Sequence, residues 1–467
     1  MRIFRELEES GQAEFVALYG RRRVGKTFLI DQLYEGQFAF RMVGVIDGTL
    51  QDQFIAFQDA MDDFGYPLDA TPKDWMGAFV ALKKALKSVV EKGGKCVIFI
   101  DELPALDAEN SGVAKAIGYF WNNWAKLHSN ILLIVCGSAT SWMIRHIIDD
   151  HGGLHDRITK EIHIHPFTLN EEEEYLAANG FRWNRLMILQ SYMIFGGVPY
   201  YLSLLNPQQS LVQNIDQLFF SNDGKMRREY KRLFSTLYKT PKTYFEIVRL
   251  LNDNSAGLTR QEIADKLNVS NNGHLGDKLE ELVWCDLVRK LPVREKKIKK
   301  TEFIYQLRDF FSAFFLTFLD RAEFEKDYWS HHINTPEVNG WFGLCYERIA
   351  MEHIEQIKHK LKIDGISVKS YAWRSKTSSP GAQIDLILER ADQIVNLCEV
   401  KYSASTYELD KDEFEKIQNR AEVFSKETKL RHAVWITLLT TFGLKDGKYS
   451  SVAQNVLTMD DLFCQLQ

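Results

Sequence analysis

A glycine-rich segment near the N-terminus places the strongest constraint on the fold of this chain. Residues 20–27 read Gly-Arg-Arg-Arg-Val-Gly-Lys-Thr, a complete match to the G-x-x-x-x-G-K-S/T motif. An apolar run, 15–19, precedes this loop, and a helical pattern begins at Phe28. Strand, glycine loop and helix are the context in which backbone N–H groups and a helix N-terminus hold phosphates. The segment therefore predicts a parallel α/β domain that binds a nucleotide.

Each position of this loop has an expected role in holding ATP and Mg²⁺. The ammonium of Lys26 reaches the β- and γ-phosphates, and the hydroxyl of Thr27 takes a Mg²⁺ ligand position. The three arginines could touch nucleotide or a partner, or they could be solvated loop charges. The predicted ATP-binding residues of the loop are Gly20, Arg21, Arg22, Arg23, Val24, Gly25, Lys26, Thr27 and Phe28.

Two further apolar strands end in polar residues that can complete this site. Residues 96–100 form a fully apolar strand, typical of a parallel sheet, and Asp101 and Glu102 follow it. Asp101 is expected to position Mg²⁺ and Glu102 to polarise the attacking water. The alternative is an ordinary strand followed by an acidic helix cap. Residues 131–136 form the next strand, after which Ser138 either senses the γ-phosphate or caps the following helix.

The bulk composition indicates a multidomain protein and excludes several classes of protein. A chain of 467 residues can form two or three domains that each bury a core. The formal net charge of −5 provides no overall attraction to nucleic acid, so DNA binding requires local basic patches. The six cysteines form no C-x-x-C pair, which indicates neither a zinc site nor a disulfide framework. No apolar run reaches about 18 residues, and no signal-peptide pattern is present, so we expect a cytoplasmic protein with no membrane partner.

Shifts in the residue pattern divide the chain into four segments. Strand and helix signals alternate in residues 1–165, which predicts a P-loop ATPase core. Residues 166–241 read as helical. Residues 242–335 read as a winged helix with connecting helices, and residues 336–467 read as a last domain.

The winged-helix prediction rests on two helices followed by two strands. Residues 258–269 predict a capped helix, and residues 270–283 predict the recognition helix. The recognition helix is expected to bury Leu275, Leu279, Leu282 and Val283 and to leave Asn271, Asn272, His274 and Lys278 outside.

A basic loop connects the two strands of this segment, 287–291 and 303–307. Residues 294–300 contain five cations, which suit contacts to DNA phosphates. The alternatives are a solvated hairpin, or a domain that acts as an intramolecular brake or a protein dock. The predicted DNA-binding residues are Lys296, Lys297, Lys299 and Lys300.

Asp385, Glu399 and Lys401 lie on two apolar runs that read as a hairpin. Because side chains alternate along a strand, Glu399 and Lys401 emerge on one face, and Asp385 can point to the same side. Two carboxylates beside one ammonium suit phosphodiester hydrolysis, in which the carboxylates hold Mg²⁺ and the lysine steadies or helps deprotonate a water. This pattern resembles the PD-(D/E)xK, or restriction-endonuclease-like, core, although Ile384 replaces the motif proline. The alternative is a degenerate domain that keeps the fold without cutting.

Several motifs together resemble the archaeal-type ATPase family, which belongs to the STAND branch of AAA+ proteins and is also widespread in bacteria. The resemblance implies an α/β fold class: a P-loop AAA+ parallel-sheet domain with a helical lid, a winged helix, and a C-terminal α/β restriction-endonuclease-like domain. The motifs are Tyr19-Gly-Arg-Arg-Arg-Val-Gly-Lys-Thr27, Asp101-Glu-Leu-Pro104, Cys136-Gly-Ser138 and Gly196-Gly-Val-Pro199-Tyr-Tyr-Leu202.

The resemblance also implies roles for individual residues of the lid, the ATPase core and the last domain. Pro199, in the lid, would approach the nucleotide base. Arg157 would sense the γ-phosphate, with a surface salt bridge as the alternative. A glutamate of the first helix often joins the metal site of such nuclease cores; Glu347 best matches that position, Glu352 is the fallback, and a solvated helix glutamate is the alternative. The predicted metal ligands are thus Thr27 and Asp101 in one site, and Glu347, Asp385 and Glu399 in the other.

Two functions from different classes fit these predictions. The first is an ATP-hydrolysing enzyme coupled to metal-dependent DNA cleavage, for instance of foreign or mobile DNA. The second is a STAND-type nucleotide switch whose C-terminal domain binds DNA or protein without cutting. Both require ATP and Mg²⁺ as cofactors, with ATP or ADP and DNA as expected partners, and both leave room for a homo-oligomer.

Overall fold

The computed structural model describes residues 2–149, 154, 156–237, 241–293, 302–320, 325–375, 382–429 and 431–466. The chain divides into two compact units, Met1–His165 and Pro166–Gln467, called unit 1 and unit 2 below. Within the described part of the chain, no helix is both long enough and apolar enough to cross a membrane.

Unit 1 is built on a five-stranded sheet in which every neighbouring pair of strands is parallel. The strand order is β2-β3-β4-β1-β5, which confirms the predicted parallel sheet. The strands are β1 Glu14–Tyr19, β2 Phe38–Val43, β3 Cys96–Asp101, β4 Ile131–Gly137 and β5 Lys160–His163. The helices are α1 Arg2–Glu9, α2 Lys26–Tyr34, α3 Leu50–Asp63, α4 Trp75–Glu91, α5 Leu103–Leu106, α6 Val113–Asn123 and α7 Thr140–Met143.

Both faces of the unit 1 sheet are covered by apolar cores. On β1, Phe15 and Ala17 belong to one buried cluster, and Val16 and Leu18 belong to another. Alternate residues of a strand point to opposite faces, so the two clusters lie on opposite sides of the sheet. This two-sided burial explains why β3 and β4 are continuous apolar runs rather than alternating ones.

Unit 2 begins with helices and ends with strands and helices. Its strands are β6 Leu258–Thr259, β7 Val288–Val293, β8 Glu302–Leu307, β9 Val368–Arg374, β10 Gln383–Arg390, β11 Ile394–Lys401, β12 Ala433–Thr440 and β13 Asn455–Thr458. Its helices are α8 Leu169–Ala178, α9 Arg185–Phe195, α10 Pro199–Leu202, α11 Leu211–Phe219, α12 Lys225–Leu237, α13 Lys242–Asp253, α14 Arg260–Leu267, α15 Gly273–Trp284, α16 Phe310–Phe318, α17 Tyr328–His332, α18 Pro336–Glu352, α19 Ile354–Lys360 and α20 Lys411–Thr428.

The strands of unit 2 join into one sheet of order β13-β12-β11-β10-β9-β7-β8-β6. β9, β10 and β11 are antiparallel neighbours, whereas β12 and β13 continue the sheet in parallel from β11. A single parallel bridge between Val293 and Ala372 links β7 to β9. The predicted hairpin of β10 and β11 is therefore embedded in a larger mixed sheet.

One apolar core runs through unit 2 from Leu169 to Phe463, and it draws side chains from all three segments that the sequence pattern distinguishes there. A second, smaller core between the C-terminal strands and α20 contains Ile387, Leu397 and Phe424. The prediction that Lys278 remains outside is wrong. Only 8% of this residue is exposed, and its Nζ lies 4.3 Å from the centroid of the Tyr244 ring, so an aromatic face replaces water around the ammonium.

A buried ion-pair cluster, which we call the Glu352 cluster, connects β7, the end of β8 and α18. Glu352 forms ion pairs with Arg289 Nη2 at 3.1 Å and with Arg308 Nη2 at 2.6 Å, and it accepts a hydrogen bond from Arg308 Nε at 2.8 Å. Arg308 also pairs with Asp286. Although burial acts to raise the pKa of Glu352, the two arginines hold it below its ordinary value. Two arginines thus engage Glu352 on α18, and its fallback role as a metal ligand stays a prediction.

A second buried carboxyl lies in the first half of α8. Glu172 is fully buried, and burial raises its pKa to about 8, while the nearby Ser191 side chain acts in the opposite direction. The preceding residue, Glu171, is exposed and forms a capping box with Thr168, accepting from the Thr168 N–H at 2.8 Å. Neighbouring glutamates of one helix thus have opposite environments.

We expect Glu172→Gln to change the pH dependence of stability. The unfolded chain loses this proton near the ordinary pKa of 4.5, whereas the folded chain keeps it up to about pH 8. Because the folded pKa is the raised one, stability is lost as pH rises between these values, by about 1.4 kcal/mol per pH unit. The variant should gain roughly 3 kcal/mol over the parent chain between pH 5 and pH 8.

Denaturant unfolding of the full chain, followed at both pH values, measures this difference. Glu171→Gln is the matched control, because its exposed side chain keeps the capping geometry and should give a pH-independent difference. A pH-independent difference for Glu172→Gln as well would contradict the buried, neutral state of this carboxyl.

Candidate functional sites

The glycine loop connects β1 to α2 and depends on backbone conformations that favour glycine. Gly20 has φ 143°, and a Cβ added there would lie 2.2 Å from the carbonyl oxygen of Ile164. Gly25, immediately before α2, has φ 89°, and Arg23 also adopts a positive φ of 75°. These conformations turn the chain sharply between the strand and the helix.

Lys26 is buried at the N-terminus of α2. Its Nζ donates hydrogen bonds to the carbonyl oxygens of Gly20 and Arg21, each at 2.9 Å. The loop therefore folds around the ammonium, which neutralises the carbonyl dipoles and fixes one positive charge at the end of β1. A fixed cation between loop and helix is what a phosphate chain requires.

Thr27 and Asp101 form an oxygen pair across the ends of β1 and β3. The Thr27 hydroxyl donates to Asp101 Oδ2 at 2.6 Å, and the Glu102 backbone N–H donates to Asp101 Oδ1 at 2.9 Å. Asp101 is buried. A hydroxyl and a carboxylate are hard oxygen donors, so the residues present fit Mg²⁺.

Glu102 and Ser138 also contact each other, across the ends of β3 and β4. The Ser138 hydroxyl lies 2.8 Å from Oε1 and 2.9 Å from Oε2 of Glu102, and the Ser138 backbone N–H lies 3.3 Å from Oε2. Glu102 has φ 47° and makes no side-chain capping bond to α5. α7 begins after Ala139, so Ser138 does not cap it either. The acidic-cap and serine-cap alternatives are therefore wrong.

The other residues predicted around ATP lie in different environments. Arg21 is only 1% exposed, so its charge is not a solvated loop charge, and Val24 is buried beside it in the loop. Phe28 is 69% exposed on α2, and Arg157 is exposed on a turn before β5. Pro199 is the first residue of α10 in unit 2.

A second group of polar residues lies on the hairpin of β10 and β11. The register pairs Leu386 with Cys398, and its continuation places Asp385 opposite Glu399. Lys401 Nζ lies 3.9 Å from Glu399 Oε1, so these side chains share one face, as strand alternation predicts. A register shift against β9 between Ile384 and Ile387 puts Asp385 in a bulge.

Glu347 of α18 is electrostatically close to both hairpin carboxylates. Burial raises the pKa of Glu347 to about 7, and the negative charges of Asp385 and Glu399 act in the same direction. Burial also raises the pKa of Glu399, against the opposing effects of Arg420 and Lys401. These mutual effects indicate that the carboxylates of α18, β10 and β11 face a common region.

Helix α20 brings further charges to this region. Arg420 pairs with Glu399, and Glu413 forms an ion pair with Lys401 at 3.0 Å and accepts a hydrogen bond from Lys416 at 3.2 Å. The positions 413, 416 and 420 are three and four residues apart, so they lie on one face of the helix. The sequence shows this spacing, but only the strand-to-helix packing identifies Glu399 as the partner of Arg420.

The carboxylates of the hairpin and of α18 are suitable ligands for a divalent cation by their chemistry, but the distances between them do not match a shared site. Glu347, Asp385 and Glu399 offer hard oxygen ligands of the kind that Mg²⁺ and Mn²⁺ prefer. Within the described part of the chain, however, their carboxylates do not all approach one another within 4.8 Å. In this structure, Arg420 supplies the positive charge next to Glu399.

The predicted DNA contacts Lys296, Lys297, Lys299 and Lys300 lie outside the described residues. The elements that flank this loop are described. β7 and β8 pair antiparallel from Val288 opposite Leu307 to Val293 opposite Glu302, so the basic loop connects two strands of a hairpin.

Comparison with known proteins shows a similarity in the N-terminal part of the chain. Residues 1–205 match the family model described as an ATPase domain predominantly from Archaea. An uncharacterized protein of Methanocaldococcus jannaschii is 24% identical over 406 residues, which cover 86% of each chain.

Solved structures also show similarity to this chain. A Walker-type ATPase of Pyrococcus abyssi has a TM-score of 0.46 at 17% identity and covers 68% of this chain and 93% of its own. The ORC2 protein of Aeropyrum pernix has a TM-score of 0.42 at 14% identity, with coverage of 68% and 89%. The family match covers the glycine loop and the residues at the ends of β3 and β4, so this part of the chain is similar to an ATPase domain found predominantly in Archaea.

Proposed function

We propose that this protein is a Mg²⁺-dependent ATP hydrolase of the AAA+ and STAND type whose ATPase domain controls a DNA nuclease centre in unit 2. The ATPase proposal rests on one observation. Four polar residues come together at the ends of three strands: Thr27, Asp101, Glu102 and Ser138. Each of these residues is in hydrogen-bonding contact with another member of the group.

The residues of unit 1 have separate tasks in ATP hydrolysis. Lys26 supplies the charge that binds the β- and γ-phosphates. Thr27 and Asp101 would hold Mg²⁺, and that ion would supply positive charge beside the phosphates. Glu102 accepts a hydrogen bond from the attacking water and orients it. Ser138 holds Glu102 in place from β4, and Arg157 would complete the site from the segment before β5.

The nuclease proposal rests on Glu399 and Lys401 side by side on β11, with Asp385 opposite Glu399 in the register. Glu347, Asp385 and Glu399 would hold the metal, and that metal would supply an activated water at the phosphodiester. Lys401 then stabilises negative charge on the attacked phosphate. Arg420 pairs with Oε1 of Glu399, which leaves Oε2 available to a metal.

We further propose that residues 242–308 form a winged helix that contacts DNA. α13, α14 and α15 followed by the β7–β8 hairpin support this assignment, with β6 as a third, short strand beside β8. The polar residues Asn271, Asn272 and His274 are exposed around the start of α15. These side chains and the basic loop are the surfaces that would meet phosphates and bases.

A STAND-type switch without cleavage is the second candidate, and the ion pairs of the hairpin region favour it. Arg420 pairs with Glu399, and Glu413 pairs with Lys401, so two of the predicted catalytic side chains have counter-ions without a metal. A cleavage assay on linear and circular DNA, with Mg²⁺ or Mn²⁺ and with or without ATP, separates the two functions. Cleavage that requires both metal and ATP supports the coupled nuclease.

Variants of the ATP site should separate binding from hydrolysis. Lys26→Ala should abolish tight ATP binding, because it removes the phosphate cation. Glu102→Gln should bind ATP but hydrolyse it on the order of 10²-fold more slowly, as expected for loss of a water-orienting carboxylate. Ser138→Ala should reduce turnover roughly 10-fold, because the Glu102 carboxylate is kept but loses the hydrogen bond that orients it.

Steady-state phosphate release and equilibrium nucleotide binding measure these effects. Glu109→Gln, a change at an exposed position after α5, is the control for loss of a carboxylate in unit 1. Parental turnover by Glu102→Gln would refute the role assigned to Glu102.

Variants of the hairpin should remove cleavage and leave ATP hydrolysis intact. Asp385→Ala and Glu399→Ala should also weaken Mn²⁺ binding, because each removes a hard oxygen ligand. Lys401→Ala should spare metal binding and still abolish cleavage, because it removes the cation near the phosphate. Gel-based cleavage, Mn²⁺ titration and phosphate release are the three measurements.

Glu408→Gln is the matched control, since this carboxylate is exposed and pairs with Lys445 at 2.9 Å. It should change none of the three readouts. A parent chain that hydrolyses ATP but cleaves no DNA or RNA under any condition would instead support the switch.

Neutralising the basic loop should weaken DNA binding and its dependence on salt. Replacing Lys296, Lys297, Lys299 and Lys300 together with Gln removes cations that would pair with phosphates. The log–log slope of affinity against salt should decrease by roughly 0.9 for each DNA phosphate that the variant no longer neutralises. Fluorescence titrations at several salt concentrations measure the slope, and an unchanged slope would place the DNA-binding surface elsewhere.

A further inference from the structure

A cavity of about 960 Å³ lies within unit 2, apart from the hairpin carboxylates. It is bounded by the end of α13, the second half of α16, the start of α17 and one face of α18. Its volume is at the upper end of the range found for small-molecule sites, roughly 300 to 1,000 Å³. Nothing in the ATPase or nuclease proposals uses this cavity.

Arg348 of α18 lines the cavity and is the unusual feature of its wall. The residue is 8% exposed, and among the described residues no hydrogen bond or ion pair engages its guanidinium. Burial lowers its pKa, against the opposing influence of Cys345 and Glu347. A largely buried cation without a counter-ion is costly, because the cavity gives it only limited contact with water.

The backbone of Arg348 is held in place by a hydrogen bond. Its carbonyl oxygen accepts from Arg289 Nη2 at 3.3 Å, which links this turn of α18 to the Glu352 cluster. The guanidinium at the cavity wall offers an anion a planar set of donors.

The other residues of the cavity wall indicate the shape of a ligand as well as its charge. Phe318, Tyr328 and Trp341 form an aromatic side, and Trp341 itself packs edge-on against Phe318 with ring centroids 5.3 Å apart. Asp253 and Glu337 are exposed carboxylates of the rim. An aromatic wall favours a flat ring, one cation favours one anionic group, and two rim carboxylates disfavour a long polyanion.

We propose that this cavity binds a small anion that carries a flat ring, the chemical class of nucleoside monophosphates. The phosphate pairs with Arg348 through parallel N–H···O bonds, and the ring packs against the aromatic side. The rim carboxylates accept hydrogen bonds from sugar hydroxyls or ring amino groups. A triphosphate is disfavoured here, whereas it is the expected ligand of the glycine loop.

Binding of AMP, GMP, CMP and UMP to the full chain tests this proposal. The glycine loop is first saturated with ADP and Mg²⁺, and each monophosphate is then titrated by calorimetry and by tryptophan fluorescence. We expect at least one of the four to bind with one site per chain. The matching nucleoside without phosphate, and inorganic phosphate alone, should each bind at least tenfold more weakly.

Two variants of α18 distinguish this cavity from any other site. Arg348→Gln should weaken binding at least tenfold, because it removes the charge but keeps most of the length of the side chain. Gly340→Leu should also abolish binding, because Gly340 lines the cavity and a Cβ there points into open space. This second variant keeps Arg348, and it replaces a helical glycine with a stronger helix former, so folding is preserved.

Gly343→Leu is the matched control, because Gly343 lies on the same helix, also has open space around its Cβ, and is not among the residues of the cavity wall. It should bind the monophosphate like the parent chain. Binding that survives both Arg348→Gln and Gly340→Leu overturns the proposal, as does equal affinity for nucleoside and monophosphate. Absence of binding by all four monophosphates overturns it too.

Discussion

The parallel pairing of β3, β4 and β1 is the constraint on which the ATP site depends. In a parallel sheet the carboxyl ends of neighbouring strands meet at one edge, whatever their distance in the sequence. β4 lies between the other two, so Ser138 at its end comes close to Glu102, and Thr27 after β1 reaches Asp101. Four short polar side chains from three distant motifs thus become one site without any long loop to position them.

Much of this site could be predicted because its signals are local. The glycine loop, the apolar strands and the polar residues that end them are each visible within a few residues of sequence. The face shared by Glu399 and Lys401 follows from strand alternation alone, and the structure keeps it. Local periodicity therefore predicts which side chains emerge together, even where the role of those side chains awaits experiment.

The tertiary contacts of individual side chains could not be predicted from the sequence. Lys278 is polar and sits at a position that helical periodicity assigns to solvent, yet the ring of Tyr244 from another helix covers it. Arg21 looks like a loop charge but is buried. Glu352 looks like a metal ligand on its helix, but Arg289 and Arg308 reach it from β7 and from beyond β8. In each case the deciding neighbours are brought near only by tertiary packing, which local patterns do not encode.

Helix α18 contributes residues to three different environments within six positions of the sequence. Glu347 faces the hairpin carboxylates, Arg348 faces the cavity, and Glu352 is fixed in the ion-pair cluster. A helix transmits displacement along its axis, and one residue of travel is about 1.5 Å, enough to break a hydrogen bond or a metal–ligand bond. A ligand that displaces α18 at one of these residues would therefore also displace the other two. If two ligands were coupled in this way, each would change the affinity for the other by the same factor.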